Sequence, residues 1–284
     1  MIIDSHCHAW TRWPYQPPVP DDEHRGKVEQ LINEMDLNGI NQAVLVCAQI
    51  DHNPENNAYI AAQVMRFPER LHQLVDLDSE WSSTYHQAGA SDRLKKMLDQ
   101  WPIKGFTHYL EPKDDGAWLY GDEGQKLFQV AADNNLLASM SCLPHQQPAI
   151  RRVAERFPSV KILCHHMGWV KADEGTAKTG LKQVIDSAKL PNIYVKLSGF
   201  AYATKTNWDF PYTDTHDIVR AEYEHFGAQR MCWGSDYPVV RFFMTYKQAL
   251  EAFRFHCSFV CESDKEAILG GTLAHLLNAN DRVS

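Results

Sequence analysis

The stretch Ile2-Ile3-Asp4-Ser5-His6-Cys7-His8 opens on two apolar residues and runs directly into a pair of histidines one residue apart. Successive side chains of a β-strand point to opposite faces, so His6 and His8 are predicted to project together while Cys7 points away. Two imidazoles on one face at a strand end can converge on one metal ion. Such a pair is weak evidence alone, and its meaning depends on the remainder of the chain.

Short apolar runs alternate with amphipathic helical segments along the 284 residues. Strands too uniformly apolar to face water, each followed by a helix, predict a parallel sheet covered by helices. About eight such units in a chain of this length predict an α/β fold, a (β/α)8 TIM barrel forming a single domain over residues 1–284. A doubly wound open sheet is the alternative, but it would need a glycine-rich turn where His6 and His8 stand.

The predicted strands are Ile2–Ile3, Ala43–Cys47, Leu71–Leu77, Ile103–Thr107, Leu136–Cys142, Val160–Cys164, Ile193–Leu197 and Met231–Trp233. The predicted helices are Lys27–Leu37, Asn57–Phe67, Ser91–Gln100, Gly124–Asn134, Pro148–Phe157, Thr179–Ala188 and Thr215–Phe226. Gly39 is expected to end the first helix. In a barrel the functional side chains come from the carboxyl ends of the strands, so polar residues at those ends are the candidates.

Composition excludes several classes of partner. The formal net charge is −8, and no basic cluster is present that could neutralise a phosphate backbone, which argues against nucleic acid. No stretch reaches the roughly 20 apolar residues that span a bilayer, and no secretory leader pattern is present, so a cytoplasmic protein without a membrane partner is expected. Seven scattered cysteines predict reduced, mainly buried thiols. The expected partner is a small-molecule substrate, and a homo-oligomer stays open.

The sixth predicted strand runs into Cys164-His165-His166-Met167-Gly168. Strand alternation predicts that His166 faces the barrel interior and His165 faces away, so one histidine is expected inside. The last strand leads to Asp236, a carboxylate that needs a metal or a proton partner if it is buried. The seventh strand carries Lys196 and Ser198. An exposed or helix-packed position for Lys196 is as compatible with the sequence as a role in the site.

Four motifs at these strand ends resemble those of a known family: Ile3-Asp4-Ser5-His6-Cys7-His8, His165-His166-Met167-Gly168, Val195-Lys196-Leu197-Ser198-Gly199 and Trp233-Gly234-Ser235-Asp236-Tyr237-Pro238. They resemble the amidohydrolase superfamily, and within it the amidohydrolase-related TIM-barrel hydrolases that include sugar-acid lactonases and pyrone-dicarboxylate lactonase. The resemblance runs nearly end to end. It implies that His166 carries the family's sixth-strand role and that Asp236 is the general base.

The chain also departs from that family pattern. The fifth predicted strand has no histidine, Thr107 stands where many relatives have an arginine, and His165 replaces an aspartate. The resemblance then leaves His6, His8 and Asp236 as three ligands for one divalent ion, with zinc as the expected metal. Catalysis without a metal stays open, because part of this group hydrolyses its substrates without one.

The resemblance implies hydrolysis of a small cyclic ester, either a sugar-acid lactone or a carboxylated lactone. Asp236 would take a proton from water, and His166 would donate a hydrogen bond to the developing oxyanion. Two alternatives remain: a metal-dependent non-oxidative decarboxylase of the same superfamily, and a degenerate barrel that binds a small ligand without turning it over. The candidate substrate-binding residues are His108, Lys196, Ser198, Trp13, Tyr109, Trp169, Tyr237 and Arg241.

Overall fold

A computed structural model describes residues 1–16, 19–172 and 177–279. In this part of the chain eight parallel strands pair in sequence order into one nearly closed sheet, which confirms the predicted (β/α)8 barrel. The alternative of an open, doubly wound sheet is wrong, because every strand neighbours the one that precedes it in sequence. The strands are β1 Ile3–Cys7, β2 Gln42–Val46, β3 Leu71–Asp76, β4 Gly105–Tyr109, β5 Leu137–Ser141, β6 Lys161–Cys164, β7 Ile193–Leu197 and β8 Met231–Trp233.

Helices follow the strands and cover the outside of the barrel. The first ends where predicted, because Gly39 adopts a left-handed φ of 69° and its N–H turns back to the carbonyls of Met35 and Asp36. No helix in the described ranges is long and apolar enough to cross a bilayer. The helices are α1 Val28–Asn38, α2 Asn56–Arg66, α3 Ala90–Gln100, α4 Ala117–Tyr120, α5 Asp122–Asp133, α6 Gln147–Arg156, α7 Ala177–Ser187, α8 Phe200–Ala203, α9 His216–Phe226, α10 Tyr246–Arg254, α11 Glu262–Glu266 and α12 Thr272–Ala279.

The apolar core has two parts, one between the sheet and the helices and one inside the barrel. The interior part is built from inward-facing apolar side chains of the strands and from the apolar face of α12; it comprises Ile3, Val44, Val46, Leu74, Leu137, Leu163, Tyr194, Cys232, Leu273, Leu276 and Leu277. Because these side chains occupy much of the barrel interior, the inward polar residues are gathered in its carboxyl-terminal half.

The barrel closes between β8 and β1 without a regular ladder. A single bridge joins Cys7 to Tyr237, and the backbone N–H of Asp236 donates to the carbonyl of His6 at 2.7 Å. The pairing of β1 with β2 is also irregular between Asp4 and Cys7. Tertiary hydrogen bonds therefore have to hold this seam, since the sheet itself provides little there.

The Asp4 carboxylate supplies most of those bonds. It is fully buried and accepts four hydrogen bonds: from the backbone N–H of His6 at 3.1 Å, from the N–H and hydroxyl of Ser235 at 2.9 and 2.5 Å, and from the hydroxyl of Tyr246 at 2.8 Å. These bonds tie β1 to the segment that follows β8 and to α10. The relative position of His6 and Asp236 thus depends on a carboxylate two residues before the first histidine.

We expect Asp4→Ala to lower the free energy of unfolding by more than about 3 kcal/mol, since a hydrogen bond to a charged group contributes about 1.5–3 kcal/mol and several buried donors lose their acceptor. Tyr246→Phe removes one of these bonds and should cost about 1–2 kcal/mol. Urea denaturation of both variants measures the difference. Equal losses for the two would show that Asp4 does not hold the seam.

Candidate functional site

His6, His8 and Asp236 come together at the carboxyl-terminal end of the barrel. The Nε2 atoms of the two histidines lie 3.2 Å apart, and the Oδ1 atom of Asp236 lies 3.6 Å from the first and 3.5 Å from the second. All three side chains are buried. The prediction that His6 and His8 project from the same face of the first strand is confirmed.

These three atoms fit one metal ion. Ligand atoms placed tetrahedrally at about 2.0–2.2 Å from zinc are roughly 3.3–3.6 Å apart, which matches the three separations. His8 donates from Nδ1 to the carbonyl of Val46 at 2.6 Å, which leaves the Nε2 lone pair directed at the other two ligands. The His6, His8 and Asp236 group has the composition of an open metal site with three protein ligands.

Asp236 is held as a carboxylate. Burial alone would raise its pKa, but His166, His8 and the Tyr202 hydroxyl outweigh burial and lower it. Its Oδ1 atom faces the imidazoles, while Oδ2 accepts a hydrogen bond from the Tyr202 hydroxyl at 2.5 Å. The residue has a left-handed φ of 61°, a conformation that is uncommon for residues other than glycine. Oδ1 of Asp236 therefore contacts the imidazoles, and Oδ2 contacts the phenol.

His166 reaches this cluster through an unusual turn. After β6 the chain passes through four consecutive residues of positive φ, from His166 to Trp169, with values of 46°, 52°, 62° and 59°. Such a left-handed turn is unfavourable for the three residues with a Cβ, so tertiary contacts must stabilise it. It brings His166 Nδ1 to 3.0 Å from the Ser198 hydroxyl and Nε2 to 3.9 Å from Asp236 Oδ1.

The prediction that His165 faces away from the barrel is wrong. Its ring centroid lies 4.5 Å from that of His6, and its Nε2 atom forms a 2.6 Å hydrogen bond with the Ser139 hydroxyl inside the barrel. Leu163 points inward, so alternation carries His165 inward as well, whereas the turn redirects His166. Both histidines thus border the site, and the expectation of a single interior imidazole fails because alternation does not extend into a turn.

Lys196 also lies in the interior, which excludes the exposed or helix-packed position. It is fully buried, and its Nζ atom lies 2.7 Å from the Ser139 hydroxyl and 3.3 Å from His6 Nδ1. Burial lowers the pKa of Lys196 to about 7, so a neutral amine that can accept a hydrogen bond from His6 Nδ1–H is accessible near neutral pH. That arrangement leaves His6 Nε2 available to a metal.

Aromatic side chains cover the cluster. Trp10 stacks on His8 with ring centroids 5.1 Å apart, and Tyr15 and Trp13 pack over Trp10 in turn. Trp169 lies 4.7 Å from the ring of His166 and stacks on Tyr202 at 5.3 Å; its indole N–H donates to Ser141. Tyr109 contacts the ring of His165 at 5.0 Å. Of the predicted substrate-binding residues, Trp13, Tyr109, Trp169, Lys196 and Ser198 are therefore brought to this end of the barrel.

Three other predicted substrate-binding residues lie elsewhere. His108 is on the opposite face of β4 from Tyr109, where its Nδ1–H donates to the Leu77 carbonyl and its ring stacks between Tyr85 and Trp118. Tyr237 is buried with its ring 5.6 Å from that of Tyr246, and Arg241 is exposed beside Gln30. The positions of these three residues depend on the side of the strand or turn that each side chain faces. A motif match in the sequence does not give that direction.

Sequence reasoning missed Tyr202 and Ser139. Tyr202 lies three residues beyond Gly199, on the short helix α8, and contacts Asp236 only because that helix folds back over the mouth. Ser139 alternates with Leu137 along β5 and so faces the interior, where it joins Lys196 to His165. The alternation of β5 could have identified Ser139, whereas no local pattern marks Tyr202.

Several known proteins share this sequence pattern and fold. A family model described as Amidohydrolase matches residues 3–278. L-fucono-1,5-lactonase of Burkholderia ambifaria is 24% identical over 249 residues, covering 84% of this chain and 81% of that protein. 4-Sulfomuconolactone hydrolase of Hydrogenophaga intermedia is 24% identical over 241 residues, covering 83% of this chain and 74% of that protein. A crystal structure of a Burkholderia multivorans amidohydrolase with zinc bound has a TM-score of 0.75 at 19% identity, covering 98% of this chain and 99% of that one.

We expect purified protein to bind one zinc ion per chain, because His6 is common to both groups of buried side chains that could hold an ion, one with His8 and Asp236 and one with His165 and His166. His6→Ala and His8→Ala should each lose the ion, since two ligands remain. His225→Ala, which replaces an exposed histidine on α9, is the matched control and should retain it. Elemental analysis after dialysis makes the measurement, and two ions per chain would contradict the assignment.

Proposed function

This chain belongs to the amidohydrolase family, and we propose that within it the protein hydrolyses a small cyclic ester, a sugar-acid lactone or a carboxylated lactone. The observation that carries the proposal is the buried Asp236 carboxylate, held ionised between three imidazoles and a phenol under an aromatic cover. The names of the two relatives support it, since both act on lactones.

Asp236 acts as the general base. A water molecule at the mouth of the barrel can donate to its carboxylate, and removal of that proton gives the nucleophile that attacks the ester carbonyl. The residue is suited to this role because it is the carboxylate that contacts the imidazole cluster, and its low pKa keeps it unprotonated. Because solvent is largely excluded, the fixed dipoles around the reacting carbonyl act at low dielectric.

His6, His8 and Asp236 are the residues that would hold a divalent ion, zinc by the fit of their spacing. When bound, such an ion lowers the pKa of water and polarises a carbonyl. His166 is positioned to donate a hydrogen bond to the developing oxyanion. Burial lowers the pKa of His166 to about 4, so its ring is neutral near pH 7, and a Ser198 hydroxyl that donates to Nδ1 leaves the proton on Nε2.

The aromatic cover supports a ring-shaped substrate. Trp13, Tyr109 and Trp169 present flat apolar faces with polar edges, a combination that suits a sugar lactone or another cyclic acid. Lys196 and Ser198 lie deeper, and both contact histidines: Lys196 contacts His6, and Ser198 contacts His166. We therefore assign them to the support of the imidazoles and assign substrate contact to the aromatic residues.

The decarboxylase alternative is disfavoured by β5. By the family resemblance that function calls for a histidine on the fifth strand, and the interior position of β5 next to Lys196 holds Ser139 instead. An assay for lactone hydrolysis distinguishes the proposed hydrolase from a barrel that binds a small ligand without turning it over.

We expect the wild type to open sugar 1,5-lactones or carboxylated lactones in a pH-stat assay, and Asp236→Asn to reduce turnover by at least about 10³-fold, since general-base catalysis contributes 10²–10⁴-fold. The asparagine keeps the size of the side chain, so the melting temperature should change little. Asp186→Asn, on exposed α7, is the matched control. A folded Asp236→Asn variant with near-native turnover would remove the general-base role, and an inactive wild type across the lactone panel would remove the function.

His166→Ala should slow turnover by on the order of 10²-fold or more, the usual effect of losing one oxyanion donor. His165→Ala should act mainly on stability, by about 1–3 kcal/mol, because the buried Ser139 hydroxyl loses its partner. Steady-state kinetics and thermal melts of the two single variants decide between these roles. Abolished turnover in a well-folded His165→Ala variant, with His166→Ala active, would reverse the assignment.

A further inference from the structure

Opening a lactone by this route requires a group that delivers a proton to the leaving oxygen, after Asp236 has taken one from water. Attack by water and collapse of the tetrahedral intermediate release the ring oxygen as an anion, which must be protonated. Lys196 Nζ is engaged by Ser139 and His6, and His166 Nε2 lies 3.9 Å from Asp236. The Tyr202 hydroxyl, in contrast, touches the base directly, at 2.5 Å from Oδ2.

Tyr202 is held in that place by its surroundings. Its ring stacks on Trp169 at 5.3 Å and meets the rings of His166 and Phe243 edge-on at 5.2 and 5.8 Å. The preceding Gly199 has a φ of 70°, and a Cβ there would lie 2.8 Å from the Tyr202 ring and 2.9 Å from His166 Nδ1. Only glycine lets the chain leave β7 so that the phenol and the imidazole both reach Asp236.

We propose that Tyr202 is the general acid that protonates the leaving oxygen, and that the substrates are saturated lactones whose ring oxygen leaves as an alkoxide. This inference rests on the proposed lactone hydrolysis. It assigns a proton donor and a substrate class to that site. The attacking water and the leaving oxygen are bonded to the same tetrahedral carbon, so a phenol in contact with the general base is also close to the leaving oxygen.

The proton balance closes within the pair. Asp236 takes one proton from water as the new C–O bond forms. When the ring C–O bond breaks, its electron pair goes to the ring oxygen, which takes the phenolic proton of Tyr202. The protonated carboxyl group of Asp236 then returns a proton to the phenolate through their hydrogen bond. The net change is addition of water to the ester, which gives a hydroxy acid and restores both residues.

The need for an acid depends on the leaving group. An alkoxide is about as strong a base as hydroxide and leaves readily only when it takes a proton. Burial and the adjacent Asp236 carboxylate raise the pKa of the Tyr202 phenol above its ordinary value, so the hydroxyl keeps its proton until the leaving oxygen takes it. An enol or phenol leaving group departs as a stable anion and gains little from such a proton. A site that keeps a phenol against its base is therefore fitted to saturated, sugar-type lactones.

The test compares Tyr202→Phe with wild type on two probes: D-glucono-1,5-lactone, which leaves as an alkoxide, and dihydrocoumarin, which leaves as a phenolate. We expect the turnover rate to fall by about 10²-fold or more on the first probe and by less than about 10-fold on the second. Tyr212→Phe is the matched control, since its hydroxyl donates to the Asn207 carbonyl in the same segment after β7; it should match wild type on both probes.

If Tyr202→Phe lowers the turnover rate equally on the two probes, Tyr202 is a positioning residue for Asp236 and the inference is overturned. An unchanged turnover rate on both probes would also overturn it. A wild type that opens dihydrocoumarin but not the sugar lactone would overturn it while leaving lactone hydrolysis intact. One that opens neither probe would also overturn it, and lactone hydrolysis itself would fall only if the carboxylated lactones of the wider panel were not opened either. If only the sugar lactone is opened, the loss must fall on kcat with KM changed by less than about threefold, and a loss carried by KM overturns the inference.

Discussion

The carboxylate of Asp4 holds together the part of the barrel on which the site depends. Between β8 and β1 the sheet has one isolated bridge, and three of the four hydrogen bonds accepted by Asp4, from Ser235 and Tyr246, join β1 to the segments after β8. His6 and Asp236 lie on opposite sides of it, 3.6 Å apart. The buried hydrogen bonds of Asp4 therefore set a distance between His6 and Asp236 at which both can bind one metal ion. Because the donors and the acceptor in this network are all paired, the network has one preferred geometry.

Burial sets the charge state of the site. It lowers the pKa of His6, His165 and His166, and these rings therefore remain neutral near pH 7. Asp236 stays ionised because the imidazoles and the Tyr202 phenol stabilise its negative charge more than burial disfavours it. The result is one carboxylate beside the neutral rings of His6, His165 and His166, an arrangement in which Asp236 can accept a proton from water or bind a cation. Without these partners, burial of the Asp236 carboxylate would be strongly unfavourable, so the imidazoles and the phenol have to contact it closely.

Strained backbone positions the two residues to which we assign the chemistry. His166 and Asp236 both have positive φ; His166 lies two residues after the end of β6, and Asp236 lies three residues after the end of β8. Alternation from the inward-facing Leu163 would send His166 to the outer face, so its left-handed conformation is what turns its side chain into the mouth of the barrel. Gly168 and Gly199 make this possible, since a Cβ at the first would lie 2.5 Å from Val184 and at the second 2.9 Å from His166.

The sequence by itself determined the barrel, the pairing of His6 with His8 and the presence of an acid at the end of the last strand, because each of these follows from local periodicity. The eight strands and seven of the twelve helices in the described residues were predicted to within about four residues, whereas α4, α8, α10, α11 and α12 were not predicted. Only the tertiary structure decided that His166 turns inward beside His6, that Tyr237 lies away from the cluster, and that Tyr202 touches Asp236. Those outcomes depend on turns with positive φ and on contacts between segments distant in sequence, and a pattern of period 2 or 3.6 carries no information about either.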